Sequence, residues 1–140
     1  MFKLKQIQYN RYNAPEIEKR KVKLGLAAEK ETVFCLYNGN LTNESEDSAK
    51  SGALYMVLDA VGASDKERYV SCYRITSDML ISVRFFASGV TPTEGMRFKL
   101  SGTSTGGYNA LTYSAGEGEV IAVGTENYAK TKNVLVRFDV

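Results

Sequence analysis

The sequence predicts an all-β fold, a β-sandwich or barrel-like domain with an extended N-terminal arm. Runs rich in β-branched and aromatic residues recur about every ten residues between turn signals, which is typical of sandwiches and barrels. No strand–helix–strand alternation, the mark of a parallel α/β sheet, is visible. The chain has 140 residues, of which 44% are hydrophobic and 24% charged. We therefore expect one globular body, residues 31–140, behind an arm of residues 1–30.

The predicted arm is distinguished by its charge. Residues 1–30 hold eight basic and three acidic side chains, a net charge of +5, whereas the rest hold ten basic and thirteen acidic, a net charge of −3. This asymmetry indicates an acidic partner, either nucleic acid or an acidic protein surface. Because the arm is poor in apolar residues, we expect it to lie on the surface or to become ordered against a partner subunit. Residues 16–23 fit either two helical turns or the start of a strand.

The first half of the body begins with a β-rich run, residues 31–37. This run ends at Asn38-Gly39, the strongest short hairpin signal, because both residues readily adopt positive φ. Residues 43–52 predict a polar loop whose acids lack the ligand order of a calcium-binding loop. Residues 53–61 fit one helical face or a strand buried on both sides, and their Tyr, Val and Met content favours the strand.

The second half of the body predicts further strands. Residues 67–76 alternate between a face of Tyr69, Ser71, Tyr73 and Ile75 and a face of Val70, Cys72 and Arg74. Residues 79–88 place Ser82 and Arg84 outward and turn four apolar side chains inward: Ile81, Val83, Phe85 and Ala87. The last strands are expected within residues 95–100, 110–113, 119–124 and 134–140.

No stretch carries a catalytic signature. The chain has no histidine, which removes the commonest general base and zinc ligand. The glycine-rich residues 101–107 lack the lysine and helix of a phosphate loop, and residues 114–118 lack a nucleophile elbow, so both predict turns. Glu117 and Glu119 flank a glycine at a strand start, where carboxylates are usually solvated. We expect no enzyme, no catalytic residues, no cofactor and no metal.

The cysteines and the hydropathy pattern limit the cellular context. Cys35 and Cys72 lie far apart without ligand spacing, which predicts reduced thiols in or near the core. No apolar run is long enough for a transmembrane helix, and the N-terminus lacks the pattern of a signal peptide. We therefore expect no association with a membrane.

The aromatic content permits two interpretations. The chain has nine tyrosines and six phenylalanines, some of them interleaved with basic residues. They could stack on bases as the aromatic residues of an OB-fold do. The favoured interpretation is that they fill the core and a protein interface, where tyrosine buries area and keeps its hydroxyl hydrated, so nucleic acid is not the expected partner.

Five stretches of apolar residues and glycines carry a resemblance to a known family: residues 52–61, 67–76, 95–101, 118–124 and 134–138. In this pattern the body resembles the small capsid decoration proteins (cement or auxiliary head proteins) of tailed bacteriophages. The resemblance implies a β-sandwich or β-tulip domain that caps joints between major capsid subunits and has no catalytic residues. It also implies copies repeated over the lattice, or a homo-oligomer, on the capsid exterior of a virion made in the host cytoplasm.

We therefore predict a virion structural protein whose partner is the major capsid protein. The arm is predicted to bind it through eleven residues: Phe2, Lys3, Leu4, Lys5, Tyr9, Arg11, Tyr12, Lys19, Arg20, Lys21 and Lys23. The first alternative is a nucleic-acid-binding, OB-like β-barrel that uses the basic arm and surface tyrosines. The second is another virion part, such as a tail-tube or connector protein.

Overall fold

The computed structural model describes residues 2–7, 15–43, 53–83, 90–102, 105–113, 117–128 and 131–140. Within these residues the chain is all-β and contains no helix, which confirms the predicted fold class. Eleven strands are formed in this part of the chain: β1 (Phe2–Ile7), β2 (Glu18–Val22), β3 (Val33–Tyr37), β4 (Asn40–Thr42), β5 (Leu54–Val57), β6 (Tyr69–Arg74), β7 (Met79–Val83), β8 (Arg97–Gly102), β9 (Tyr108–Tyr113), β10 (Val120–Tyr128) and β11 (Thr131–Phe138).

The chain divides into two compact units. The barrel unit comprises Pro15–Ile75 and Gly102–Tyr108. The sheet unit comprises Met1–Ala14, Thr76–Ser101 and Asn109–Val140. Each unit is therefore assembled from segments that are distant in the sequence.

The barrel unit is built on five strands that close on themselves. Their order is β3–β4–β2–β6–β5, and β5 pairs back with β3. The pairing of β2 with β4 is parallel, and the other four pairings are antiparallel. A closed barrel leaves no strand edge within the ring, so main-chain groups on both sides of each strand can be satisfied.

The hairpin predicted at Asn38-Gly39 is confirmed. These two residues connect β3 and β4, which pair antiparallel from Tyr37 opposite Asn40 to Cys35 opposite Thr42. Asn38 has φ 49° and Gly39 has φ 78°, the left-handed conformations that a two-residue type I′ turn requires.

The barrel interior is apolar because alternate side chains of each strand point inward. One cluster of buried residues fills it: Val22, Ala28, Phe34, Leu41, Tyr55, Val57, Val61, Val70 and Cys72. All four residues of β5 are buried, and the strand predicted for residues 53–61 is confirmed over residues 54–57. Beyond it, Val61 forms only an isolated bridge with Ala28. Cys35 and Cys72 are buried free thiols, as predicted.

Strand β6 departs from its predicted alternation. Val70 and Cys72 point into the core cluster and Tyr69 is exposed, but Tyr73 and Ile75, predicted on the same face as Tyr69, are buried. Tyr73 lies opposite Met56 of the fully buried β5. Arg74, predicted on the face of Val70 and Cys72, is exposed, so the buried face of the strand changes between Cys72 and Tyr73.

The sheet unit is an antiparallel sheet with the order β1–β7–β11–β10–β8, followed by β9. Ile81 and Val83 of β7 are buried as predicted. Ser82 was expected to point outward, but it is only 7% exposed. Because β7 lies between β1 and β11, its small side chain is shielded by the neighbouring strands. Residues 84–88 of the predicted strand lie outside the described residues.

Residues 1–30, expected as an arm in front of the body, contribute strands to both units. β1 pairs with β7 in the sheet unit. β2 pairs with β6 and β4 in the barrel unit, and its Val22 is completely buried. Residues 18–22 are thus a strand, and the helical alternative for this segment is wrong.

Candidate binding face of the barrel

The exposed side of β2 presents a row of basic side chains. Lys19 and Lys21 are exposed, whereas Val22 is buried and Glu18 and Arg20 are half-buried. This follows from the period of two along a strand, which turns neighbouring side chains to opposite faces. Ile17 and Lys23, just beyond the two ends of β2, are exposed as well.

Three neighbouring strands extend this row sideways. Lys21 lies directly opposite Tyr69 of β6 on one side and opposite Asn40 of β4 on the other. Asn40 in turn lies opposite Tyr37 of β3. Tyr69 is 60% exposed and Tyr37 is 43% exposed. We call Tyr37, Asn40, Lys21 and Tyr69 the cross-strand row.

The carboxylate of Asp59 borders this face. Asp59 accepts a hydrogen bond from the main-chain N–H of Ser71 at 2.7 Å and lies 3.6 Å from Nζ of Lys19. The N–H of Ser71 is the main reason why the pKa of Asp59 lies below its ordinary value, and the charge of Lys19 adds to the effect. Asp59 thus stays ionised at neutral pH beside Lys19, and Lys21 is the lysine at the centre of the face.

A rigid turn follows β2. The main-chain N–H of Leu26 donates to the carbonyl of Lys23 at 3.1 Å, and Gly25 adopts φ 92°. This turn leaves Leu24 77% exposed, the highest value among the exposed large apolar side chains of the described residues. We call residues 23–26 the Leu24 turn.

Arg68 holds the Leu24 turn in place. Its side chain is only 3% exposed, and its guanidinium donates to the main-chain carbonyls of Val22, Lys23, Leu26 and Gly62. The bond to the carbonyl of Lys23 is 3.0 Å long. Several donors on one planar group fix several backbone segments at once, so the conformation around Leu24 is set before any partner binds.

Arg20, predicted to contact a partner, is engaged within the barrel unit instead. Its guanidinium lies 5.1 Å from the centre of the Tyr55 ring and donates to the carboxylate of Glu18 at 3.0 Å. The thiol of Cys72 donates to the carbonyl of Glu18. Burial, aided by the charge of Glu18, raises the pKa of Cys72 to about 11. This cluster stabilises the barrel and offers no reactive thiolate.

The predicted partner residues that precede Lys19 lie in the sheet unit or outside the described residues. Residues 2–5 lie on β1 of the sheet unit, where Phe2, Lys3 and Leu4 are opposite Val83, Ser82 and Ile81. Tyr9, Arg11 and Tyr12 lie outside the described residues. Among the predicted residues whose burial is described, Lys19, Lys21 and Lys23 form an exposed group on and beside β2.

Four residues of this surface were absent from the predicted set: Leu24, Tyr37, Asn40 and Tyr69. The alternation of residues 67–76 was a signal for Tyr69, because it placed this tyrosine opposite the buried Val70. No signal in the sequence pairs Tyr69 with Lys21, since 48 residues separate them and the pairing arises from closure of the barrel.

The part of the chain that the structure describes contains no group of three or more His, Cys, Asp or Glu residues that could hold a metal ion. Among the same residues, no helix is long and apolar enough to cross a membrane. The features described on the surface around β2 are its charges, tyrosines and exposed apolar side chains.

No protein-family model, no curated protein and no solved structure matches this chain.

Proposed function

We propose that this chain is a virion structural protein, a capsid decoration protein that binds major capsid subunits and stabilises the head shell. The observation that carries the proposal is the exposed Leu24 on its rigid turn, directly beside Lys23. A large apolar side chain next to positive charge suits an apolar pocket with an acidic rim on a protein surface. The apolar pattern that resembles capsid decoration proteins supports the same partner.

Rigidity is what makes Leu24 a suitable anchor. A flexible loop loses conformational freedom when it binds, and this loss opposes association. The hydrogen bonds from Arg68 already restrict the turn in the unbound protein. Each copy then needs only a modest contact, because copies repeated over a lattice can bind with avidity.

The proposal predicts that a major capsid protein is encoded near this chain, and it is tested by co-sedimentation with expanded capsids made from that protein. We expect the wild type to pellet with these capsids and Leu24→Ser to lose at least about tenfold in affinity, since anchor residues of this kind contribute 2 kcal/mol or more. Val140→Ser is the matched control, because Val140 is also an exposed apolar residue, at 58%, but lies in the sheet unit.

Both substitutions are at exposed positions, so the thermal unfolding of both variants should match that of the wild type. A wild type that stays in the supernatant would contradict the proposed partner. Normal pelleting of Leu24→Ser would contradict the role of the Leu24 turn, and equal loss in Val140→Ser would show that the effect is unspecific.

A further inference from the structure

We infer that the barrel unit carries a second binding face, for single-stranded nucleic acid, on the outer side of β6 and β2. Its centre is the pair Lys21 and Tyr69 within the cross-strand row. This inference goes beyond capsid binding and does not depend on it, because it rests on different side chains from the Leu24 turn.

The chemistry of the cross-strand row suits unstacked bases and phosphates. Tyr69 and Tyr37 are exposed at its two ends, and aromatic rings in such positions serve as platforms for bases of any sequence. Lys21 lies between them and can reach a phosphate. Neighbouring strands are about 4.8 Å apart, so Tyr69 and Lys21, which lie opposite each other on paired strands, can contact the same part of a bound nucleotide strand.

Glu18 of β2 is paired with Arg20 on the half-buried side of that strand, and Glu67 is exposed beyond the end of β6, two residues before Tyr69. The carboxylate described in contact with β2 and β6 at this face is Asp59, which is paired with Lys19. Its charge is compensated locally by this lysine and by the N–H of Ser71. Lys21 therefore gives the centre of the face a positive character. A double helix would hide its bases from Tyr69, whereas a single strand exposes them, so the tyrosines favour the single strand.

The strand pairing of the barrel supports the same ligand. An OB-fold barrel has five strand pairings. Four are antiparallel: the first strand with the second, the first with the fourth, the second with the third, and the fourth with the fifth. The pairing of the third strand with the fifth is parallel. When β5 is taken as the first strand, β6, β2, β3 and β4 follow as the second to fifth. All five observed pairings then agree, including the parallel pair β2–β4.

The barrel thus has the strand pairing of an OB-fold whose chain begins at the third strand. OB-folds bind oligonucleotides on the face of their second and third strands. In this chain these strands are β6 and β2, the two strands that present Tyr69, Lys19 and Lys21. A fold alone does not establish function, but here the side chains and the topology indicate the same face.

The inference is tested by fluorescence anisotropy with a labelled oligothymidylate at about 50 mM salt and over a salt titration. We expect the wild type to bind and Tyr69→Ala to weaken binding about tenfold, as removal of a stacking platform does. Lys21→Gln should reduce the steepness of the salt dependence by about 0.7 in the log–log slope, the contribution of one phosphate contact on a single strand.

The matched controls are Tyr113→Ala and Lys99→Gln, an exposed tyrosine and a half-exposed lysine of the sheet unit. Both should bind as the wild type does. A duplex of the same length and a polyglutamate peptide serve as competitors and should displace the oligonucleotide only weakly.

Three results would overturn the inference. The first is absence of binding at low salt, and the second is binding that neither Tyr69→Ala nor Lys21→Gln changes. The third is competition by polyglutamate as strong as by unlabelled oligonucleotide, which would identify the face as a site for acidic proteins. Leu24→Ser should bind the oligonucleotide normally, so failure of the capsid proposal and failure of this inference are distinguishable.

Discussion

Arg68 donates a hydrogen bond to the main-chain carbonyl of Lys23 at 3.0 Å, although 45 residues separate the two in the sequence. The acceptors described for this buried guanidinium are four main-chain carbonyls. Because these carbonyls come from the end of β2, from the Leu24 turn and from Gly62, one side chain joins three segments of the barrel unit. The Leu24 turn owes its rigidity to this arrangement.

Replacing Arg68 by Met should destabilise the protein by about 3 kcal/mol, because four buried or partly buried main-chain carbonyls each lose a hydrogen bond from the guanidinium. The measurement is the free energy of unfolding from urea titration. Arg97→Met is the control, since Arg97 forms a partly exposed pair with Asp139 at 3.2 Å and should cost less than about 1 kcal/mol. Equal losses in the two variants would show that Arg68 does not have the structural role described above.

Gly107→Ala should destabilise the barrel by about 2 kcal/mol through overpacking. A Cβ atom at this position would lie 2.4 Å from Cε2 of Phe34, a fully buried ring. Because Leu is smaller, Phe34→Leu should relieve part of this clash, so the double variant should lose less stability than the two single variants together.

Gly124→Ala provides the control for this experiment, because a Cβ there would meet nothing within 4 Å. Its free energy of unfolding should stay within about 0.5 kcal/mol of the wild type. Strict additivity of Gly107→Ala and Phe34→Leu would contradict the proposed contact.

Asp59 should contribute stability that depends on pH. Its pKa is lower in the folded than in the unfolded chain, so the contribution is complete above the unfolded pKa of about 4 and disappears as the pH falls through the folded value. Because its side chain is nearly half exposed, Asp59→Asn should cost at most about 1 kcal/mol at pH 7. In urea titrations, this difference from the wild type should shrink towards acidic pH.

Lys19→Gln measures how much of the pH-dependent stability of Asp59 comes from its contact with Lys19. The N–H of Ser71 is the main cause of the lowered pKa and the lysine a smaller one, so Lys19→Gln should produce only a fraction of the pH-dependent loss. If Asp59→Asn lowers the free energy of unfolding by the same amount at pH 7 and at pH 3, the pH-dependent contribution assigned to Asp59 is contradicted.

The two cysteine thiols should react slowly with Ellman's reagent in the native protein at pH 8. Both are buried, and burial raises the pKa of Cys72 to about 11, so little thiolate exists. In urea both should react at once. Rapid reaction of one thiol in the native protein would show that its part of the barrel opens readily.

Local patterns in the sequence predicted most strands, because their causes act over a few residues. The alternation of apolar residues gave the strands near residues 33–37 and 97–102, and the conformational freedom of Asn38 and Gly39 gave the hairpin between β3 and β4. The burial of Tyr73 and Ser82 could not be read in this way. It depends on what covers each face of a strand, and residues distant in the sequence decide this.

Of the residues on the candidate face, only the lysines could be predicted from the sequence. The excess of positive charge in residues 1–30 indicated an acidic partner, and Lys19, Lys21 and Lys23 are exposed in the structure. The tyrosine that completes the face lies on β6, and only the antiparallel pairing of β2 with β6 places it beside Lys21. Arg20 has the same charge as its neighbours, but its position on the strand turns it towards Tyr55.

By itself the sequence determined an all-β protein, the position of its clearest turn and the charge of its first 30 residues, since each is a property of neighbouring residues. Only the tertiary structure decided that residues 18–22 form a wall strand of a closed barrel. The physical reason is that β2 cannot satisfy its main-chain hydrogen bonds alone and takes its partners from β4 and β6, distant in the chain. That pairing turned a basic segment into one side of a defined surface, with Lys21 between Asn40 and Tyr69.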